Sequence, residues 1–177
     1  LGGCSNGGYM TMNMLVEYPD YFAAAYPNCE AYAFNRFARD ENGGYISESS
    51  ANAMGGENKI KAADERFMTD EKIERIKHIP LWFVHSSDDT VVNPAQFSLP
   101  TYRALLDAGA ANVHFSYFEN VMSADDPGVQ FMGHWVWVYL FNDAVRGVQG
   151  ADFVPTNAGG GEDYESIFAW LNAQKKE

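Results

Sequence analysis

Apolar residues occur along the chain in short blocks, and the spacing within each block predicts a helix or a strand. Residues 8–18 (GYMTMNMLVEY) are rich in large apolar side chains, which predicts a mostly buried helix that ends before Pro19. Residues 81–84 (LWFV) form a continuous apolar run, which is typical of a strand buried on both faces in a parallel sheet. Residues 164–175 (YESIFAWLNAQK) place apolar side chains on one face, which predicts an amphipathic helix.

The remaining blocks continue this alternation of helices and strands. We expect a short strand within residues 21–29, ending near Pro27, and another over residues 113–121. Helices are predicted over residues 70–77, with Thr69 or Asp70 as the cap, and over residues 100–110 and 135–141. Strands separated by helices predict an α/β fold with a mostly parallel sheet flanked by helices.

Two polar segments interrupt this pattern within an expected single domain, residues 1–177. Residues 33–72 are rich in Asn, Gly, Ser, Glu and Lys, which predicts either a lid or a solvated excursion from the core. Residues 142–163 are rich in Ala, Gly and Asn, which predicts a loop insertion.

Composition excludes several classes of protein. Apolar residues make up 46% of the 177 residues, which excludes general disorder, and a net charge of −12 without a basic stripe argues against nucleic-acid binding. No apolar run reaches the roughly 18 residues of a membrane span. Cys4 and Cys29 are too few for a disulfide framework or a clustered metal site, so we expect small buried residues and no metal. The sequence favours neither a secreted nor a cytoplasmic location.

Glycines surround a serine at the start of the chain, in the segment GCSNG (residues 3–7). This spacing is typical of a nucleophile elbow, the sharp strand-to-helix turn that exposes a reactive serine. We expect Gly3 and Gly7 to be needed because small neighbours let the strand and the helix approach, with Gly8 adding room. A flexible terminus without a role is the alternative.

Acid and base candidates follow later strands in the order Ser, Asp, His. Asp88 and Asp89 follow the strand of residues 81–84, and His134 lies beyond the strand of residues 113–121. Functional residues of open parallel sheets gather beyond the carboxyl ends of the strands. The order from Ser5 to His134 is that of the α/β-hydrolases.

Three other histidines compete with His134 as the base. His85 ends a predicted strand, where its ring is expected to support the acid loop through hydrogen bonds. His114 lies inside a strand, and His78 lies in a polar approach to the next strand. We favour His134 because it lies after a loop and before a run of aromatic residues.

Three segments resemble the second half of an α/β-hydrolase catalytic domain: GGCSNGGYM with EYPDYFAAAYP, IPLWFVHSSDDTVVNP, and GHWVWVYLFND. They are similar to esterases of the prolyl-oligopeptidase-like and polyhydroxybutyrate-depolymerase- or feruloyl-esterase-like group. The resemblance runs from the nucleophile onward over nearly the whole chain. It therefore implies a partial α/β-hydrolase fold that lacks the N-terminal strands.

The acid loop departs slightly from the pattern of these enzymes, in which the acid lies in His-Gly-x-x-Asp-x-x-Val-Pro. Here the match begins at His85, Ser86 replaces the usual glycine, and Asn93 is inserted before the proline. Aligned on the histidine and the valine pair, Asp89 is the acid and Asp88 is a turn residue.

The resemblance implies a serine esterase without a metal or an organic cofactor. Ser5 would attack an ester carbonyl, His134 would take its proton, and Asp89 would hold the imidazole. The Asn6 amide would donate to the oxyanion, with a second donor from an upstream loop. Trp135 is the aromatic residue expected near the substrate, whereas the aromatic residues that follow it are expected in the core.

The main hypothesis is a carboxylesterase acting on small acyl or aryl esters. A serine peptidase of the prolyl-oligopeptidase type and a non-catalytic α/β-hydrolase-like binding module remain as alternatives. Because the family's earlier strands have no counterpart here, one sheet edge is expected to be exposed and apolar. The expected partners are therefore a small ester and either the missing N-terminal half or a second copy.

Overall fold

The computed structural model of the chain describes residues 1–32, 68–150 and 153–176. Its helices are α1 (Asn6–Glu17), α2 (Asp70–Ile76), α3 (Ser98–Asp107), a 3-10 turn (Gly133–Trp135), α4 (Trp137–Phe141) and α5 (Ile167–Ala173). Its strands are β1 (Gly2–Cys4), β2 (Tyr26–Asn28), β3 (Leu81–Ser86), β4 (Val113–Phe118), β5 (Val121–Met122), β6 (Gln130–Phe131), β7 (Gly147–Val148) and β8 (Glu162–Asp163). The helix predicted to begin at Asp70 does so, and the Thr69 side chain caps it by accepting from the Lys72 amide.

The central sheet is parallel and has the order β1-β2-β3-β4. Its longest pairing joins β3 to β4, from Leu81 opposite Val113 to Ser86 opposite Phe118. Every residue of β3 is buried, as the apolar run predicted. The α/β fold expected from the sequence is therefore confirmed.

Side chains of β3 alternate between two core clusters on opposite faces of the sheet. Leu81 and Phe83 pack in a cluster with α1, α2 and α3, whereas Trp82 and Val84 pack in a second cluster with α4 and α5. This alternation is the period of two that a strand imposes on its side chains. Helices on both faces explain why β3 contains no polar residue before its carboxyl end.

Within residues 142–163, where the sequence predicts a loop insertion, Gln149, Thr156 and Gly159 bond to the outer edge of β4. The Tyr117 amide donates to the Gly159 carbonyl, and the Gln149 amide donates to the Phe115 carbonyl. Strand β7 pairs antiparallel with β8, and Val148 belongs to the second core cluster. Strands of two residues are too short to leave a periodic pattern in the sequence.

The opposite edge of the sheet is β1, which pairs only with β2 among the described residues. Most of the predicted lid, residues 33–67, lies outside the described residues. The described end of that segment packs into the fold, because Met68 is buried against the first core cluster. Across residues 1–32, 68–150 and 153–176, no helix is long and apolar enough to cross a bilayer.

Candidate active site

Ser5 lies in the turn between β1 and α1 and has a strained backbone. Its φ of 55° and ψ of −115° fall where residues with a side chain are rare. Two backbone hydrogen bonds hold the turn: the Ser5 amide donates to the Asn28 carbonyl at 2.9 Å, and the Tyr9 amide donates to the Ser5 carbonyl at 2.9 Å. Strain held in this way is typical of functional positions.

The glycines around Ser5 are not equivalent. A Cβ atom on Gly3 would lie 2.6 Å from the Gly7 carbonyl carbon, and one on Gly8 would lie 2.6 Å from the Asn28 carbonyl oxygen. A Cβ atom on Gly7 would meet no atom within 4 Å among the described residues. The expected steric requirement therefore holds at Gly3 and Gly8, while Gly7 contributes its backbone to the close contact rather than its missing side chain.

Ser5, His134 and Asp89 come together although they follow three different strands. His134 Nε2 lies 2.9 Å from Ser5 Oγ, and His134 Nδ1 lies 2.8 Å from Asp89 Oδ2. Asp89 is 4% exposed and His134 is 7% exposed. Because Nδ1 faces a carboxylate, a neutral His134 carries its proton there and leaves Nε2 free to accept from the serine hydroxyl.

The Asp89 carboxylate has hydrogen-bond donors on both oxygens. Oδ1 accepts from the Val91 and Val92 amides at 2.8 Å each, and Oδ2 faces the rings of His134 and His85. Burial alone would raise the pKa of Asp89, but hydrogen bonds from His134, His85 and the Val92 amide outweigh it. The pKa of Asp89 therefore lies well below its usual range.

His85 is buried behind Asp89, where it supports the acid loop as the sequence predicted. Its Nε2 lies 3.1 Å from Asp89 Oδ2 and 2.9 Å from the Val92 carbonyl oxygen. Its Nδ1 lies 2.6 Å from Ser98 Oγ. Nothing in the sequence pointed to Ser98, which lies at the start of α3.

Asp88 bonds to neighbours of the acid loop and the β6 strand, in keeping with its predicted role in the turn. Its Oδ1 accepts from Ser86 Oγ at 2.5 Å, and its Oδ2 accepts from Gln130 Nε2 at 3.0 Å. A Cβ atom on Gly133 would lie 2.6 Å from the Asp88 carbonyl carbon. The glycine before His134 therefore allows the histidine loop to approach the acid loop closely.

Asn6 is the first residue of α1, so its amide has no acceptor inside the helix. The amide lies next to Ser5 at the positive end of the helix dipole, where negative charge is stabilised. The structure therefore provides a candidate oxyanion donor at the position that the sequence predicted.

Two tryptophans near His134 have different surroundings. Trp135 is 44% exposed, and its ring centroid lies 6.1 Å from that of Phe131. The Trp137 ring, which the sequence assigned to the core, meets the His134 ring edge-on at 5.4 Å and also packs on the second core cluster. The contact with His134 was missed because the predicted helix began at residue 135 and left His134 in the preceding loop, whereas the structure has a 3-10 turn over Gly133–Trp135.

Cys29 is the candidate for a metal ligand beside this site. Ligand atoms of Cys29, Asp89 and His134 lie within 4.8 Å of one another. Burial raises the pKa of the Cys29 thiol far above its usual range, and both Asp89 oxygens already have hydrogen-bond donors. A thiol without charge is a poor metal ligand, so this group of residues fits the proton-transfer geometry better than a metal centre.

Comparisons with known proteins place these features in a family. The model of the prolyl oligopeptidase family matches residues 1–121. Among solved structures, a thermostable esterase is 22% identical with a TM-score of 0.55, over 98% of this chain and 30% of its own. The uncomplexed acylaminoacyl peptidase of Pyrococcus horikoshii is 21% identical with a TM-score of 0.51, over 80% of this chain and 22% of its own. No curated protein matches the sequence.

These structures support the fold expected from the resemblance, an α/β-hydrolase represented in part. The chain spans less than a third of the length of either solved structure.

Proposed function

This chain belongs to the prolyl oligopeptidase family, and we propose that it acts within that family as a serine carboxylesterase. The family match indicates a serine hydrolase. The observation that supports the proposal most directly is the pair of contacts from His134 to Ser5 Oγ at 2.9 Å and to Asp89 Oδ2 at 2.8 Å. Geometry of this kind defines a Ser-His-Asp triad better than position in the sequence.

In the proposed reaction, Ser5 Oγ forms a bond with the ester carbonyl carbon while its proton moves to His134 Nε2. The Asp89 carboxylate stabilises the resulting imidazolium, and its low pKa keeps it ionised at neutral pH. The imidazolium then protonates the departing alcohol. Water repeats the sequence on the acyl-enzyme, with His134 again as the base, and releases the carboxylic acid.

The tetrahedral intermediate needs hydrogen-bond donors for its oxyanion. We assign one of them to the Asn6 amide, which lies at the start of α1 beside the nucleophile. The second donor would come from a chain segment beyond β1, in line with the one-sided pairing of that strand among the described residues.

Apolar surface beside His134 favours an ester with an apolar acyl or aryl group. Val129, Met132 and Trp135 are each more than 40% exposed, and they lie on the hairpin and turn that precede or contain the base. We propose that Trp135 contacts the substrate, since an exposed aromatic side chain next to a reactive group can bury an apolar group.

A peptidase is the second candidate, since the matching family model is that of the prolyl oligopeptidases and an acylaminoacyl peptidase shares the fold. A binding module without catalysis is the third. In that case the contact between His134 and Ser5 would be present without a complete oxyanion site.

We also propose that the free edge of β1 pairs with a further strand, either from elsewhere in the protein or from a second copy. The amides and carbonyls of Gly2 and Cys4 point away from β2, because the Leu1 carbonyl and the Ser5 amide bond to β2. Sheet edges that expose such groups are rarely left unpaired.

The experiment that tests the function compares substrates that differ only in the bond cleaved. Hydrolysis of p-nitrophenyl butyrate and of p-nitrobutyranilide by the intact protein is measured beside labelling by a fluorophosphonate. We expect ester turnover and labelling that are lost in Ser5→Ala and His134→Ala, and a raised KM for the ester in Trp135→Ala. Anilide turnover comparable to ester turnover would favour the peptidase, and a folded protein without labelling or turnover would favour the binding module.

A further inference from the structure

His85 and His134 share one oxygen of Asp89. Asp89 Oδ2 lies 2.8 Å from His134 Nδ1 and 3.1 Å from His85 Nε2, while Asp89 Oδ1 is bonded to two backbone amides. The charge that faces His134 is therefore also the charge that faces a second imidazole.

The protonation of His85 follows from its partners. Its Nε2 faces two acceptors, Asp89 Oδ2 and the Val92 carbonyl, so this nitrogen carries a proton and donates to both. Its Nδ1 lies 2.6 Å from Ser98 Oγ, whose hydroxyl donates to the ring when the ring is neutral. Both Ser98 and His85 are fully buried or nearly so, so solvent does not compete for these bonds.

We propose that His85 is a positioning residue for His134, acting through the Asp89 oxygen that the two rings share. The His85 N–H directs Oδ2 toward His134 Nδ1 and withdraws part of its charge. The inference rests on the proposed function for its catalytic consequence, but its first readout does not depend on turnover.

The hydrogen bonds that Asp89 keeps when the His85 donor is removed determine the direction in which the pKa of His134 changes. If the His85 donor is removed, the Val91 and Val92 amides still hold Oδ1, so the carboxylate stays near His134. Oδ2 then has one donor fewer and stabilises the His134 imidazolium more strongly, which raises the pKa of His134. Among the described residues, the other titratable groups close to the base are Cys29 and, beside Gly133, Asp88. Both are present in the wild type and in every His85 variant.

Substituting His85 by asparagine or by glutamine tests the contacts of its two ring nitrogens one at a time. In His85→Asn, the short amide reaches the position of Nδ1 and keeps the contact with Ser98 but loses the donor to Asp89. In His85→Gln, the longer amide reaches the position of Nε2 and keeps that donor. Both side chains are polar and uncharged, so they impose similar costs of burial.

The experiment measures the pKa of His134 by NMR of its ring protons in the intact protein. We expect His85→Asn to raise this pKa by about 0.5–1 unit and His85→Gln to leave it within about 0.3 unit of wild type. Ser98→Ala, which frees the ring of His85, should give a smaller rise. His78→Gln is the control, since His78 is an exposed histidine that contacts Asp20, away from the site.

Activity gives the second readout. With an ester substrate, the acid limb of kcat/KM in His85→Asn should move to higher pH by the same amount, with kcat about tenfold lower and KM unchanged. Equal His134 pKa values in His85→Asn and His85→Gln would overturn the proposal. If His85→Asn does not fold, an unchanged pKa in Ser98→Ala would overturn it. If the variants show the expected changes in the His134 pKa but the wild type does not turn over the ester, only the esterase hypothesis is refuted.

Discussion

Two buried carboxyl groups follow neighbouring strands of the sheet and reach opposite protonation states. Asp89, after β3, has two amide donors and two imidazole rings around its oxygens. Glu30, after β2, accepts one hydrogen bond from the Tyr32 amide through Oε2, and its Oε1 has no partner among the described residues. Both side chains are nearly inaccessible to solvent, since Asp89 is 4% exposed and Glu30 is 0% exposed.

The difference lies in the number of donors. Burial raises the pKa of Glu30 to about 8, and the one bond from the Tyr32 amide offsets only part of that rise. At Asp89 burial has the same sign, but the hydrogen bonds outweigh it. At neutral pH the site therefore has a charged carboxylate beside His134 and an uncharged acid near the start of α1. The position of a buried acid in the fold does not set its charge; its donors do.

The largest expected effect comes from neutralising the charged acid. Asp89→Asn should lower kcat/KM for an ester by about 10³- to 10⁴-fold, because an amide favours the wrong tautomer of His134 and cannot stabilise its imidazolium. Glu30→Gln is the matched control, and its kcat/KM should stay within about threefold of wild type. Steady-state kinetics at pH 7.5 measures both, and comparable losses in the two variants would contradict the distinction between the two acids.

The pH dependence of the free energy of unfolding tests whether Glu30 is protonated in the folded protein. In the unfolded chain a glutamate ionises near pH 4.5, whereas Glu30 in the folded chain ionises near pH 8. Between these values the native state holds a proton that the unfolded state has lost, so stability falls as pH rises. The free energy of unfolding of Glu30→Gln relative to wild type should therefore increase between pH 5 and pH 8 by on the order of 3 kcal/mol.

Urea unfolding at the two pH values measures this difference in stability. Glu165→Gln, at an exposed position, is the control and should show no such change. A Glu30→Gln variant whose relative stability does not depend on pH would mean that Glu30 is ionised in the folded protein.

The smallest expected effect concerns two glycines in the first turn of α1, of which Gly8 packs against Glu30. A Cβ atom on Gly8 would lie 2.6 Å from the Asn28 carbonyl oxygen and 2.9 Å from Glu30 Cβ, whereas one on Gly7 would meet nothing among the described residues. Gly8→Ala should lower the free energy of unfolding by about 1–3 kcal/mol. Gly7→Ala should change it by about 1 kcal/mol or less, toward greater stability, because alanine favours a helix. Thermal unfolding of both variants checks the contrast, which equal losses would refute.

Much of the candidate site was accessible from the sequence because its signals are local. The glycine spacing around Ser5, the pair Gly133-His134 and the aspartates after β3 each report a turn of a few residues. Alignment on the histidine and the valine pair also favoured Asp89 over Asp88, and in the structure Asp89 is the one that faces His134. Which of these residues carry the reaction stays a prediction until the variants are measured.

Other features had no local signal. The strands at 147–148 and 162–163 are too short to show alternation, so the segment that covers the edge of β4 was predicted as a loop. The contact of Trp137 with His134 was missed because the predicted helix began at residue 135 and left His134 in the preceding loop. Gly7 was expected to relieve crowding through its missing side chain, but the crowding involves its backbone.

The sequence by itself determined the alternation of strands and helices, the strained turn at Ser5, and the order of nucleophile, acid and base. Each of these depends on side-chain size and spacing within a few residues, where steric rules operate. Only the tertiary structure decided that His134 meets a serine 129 positions earlier and that His85 and His134 share one oxygen of Asp89. It also decided that Glu30 is buried with a donor on one carboxylate oxygen and none, among the described residues, on the other. These outcomes depend on how the carboxyl ends of separate strands pack together, and the energies of buried charges are set by neighbours distant in the chain.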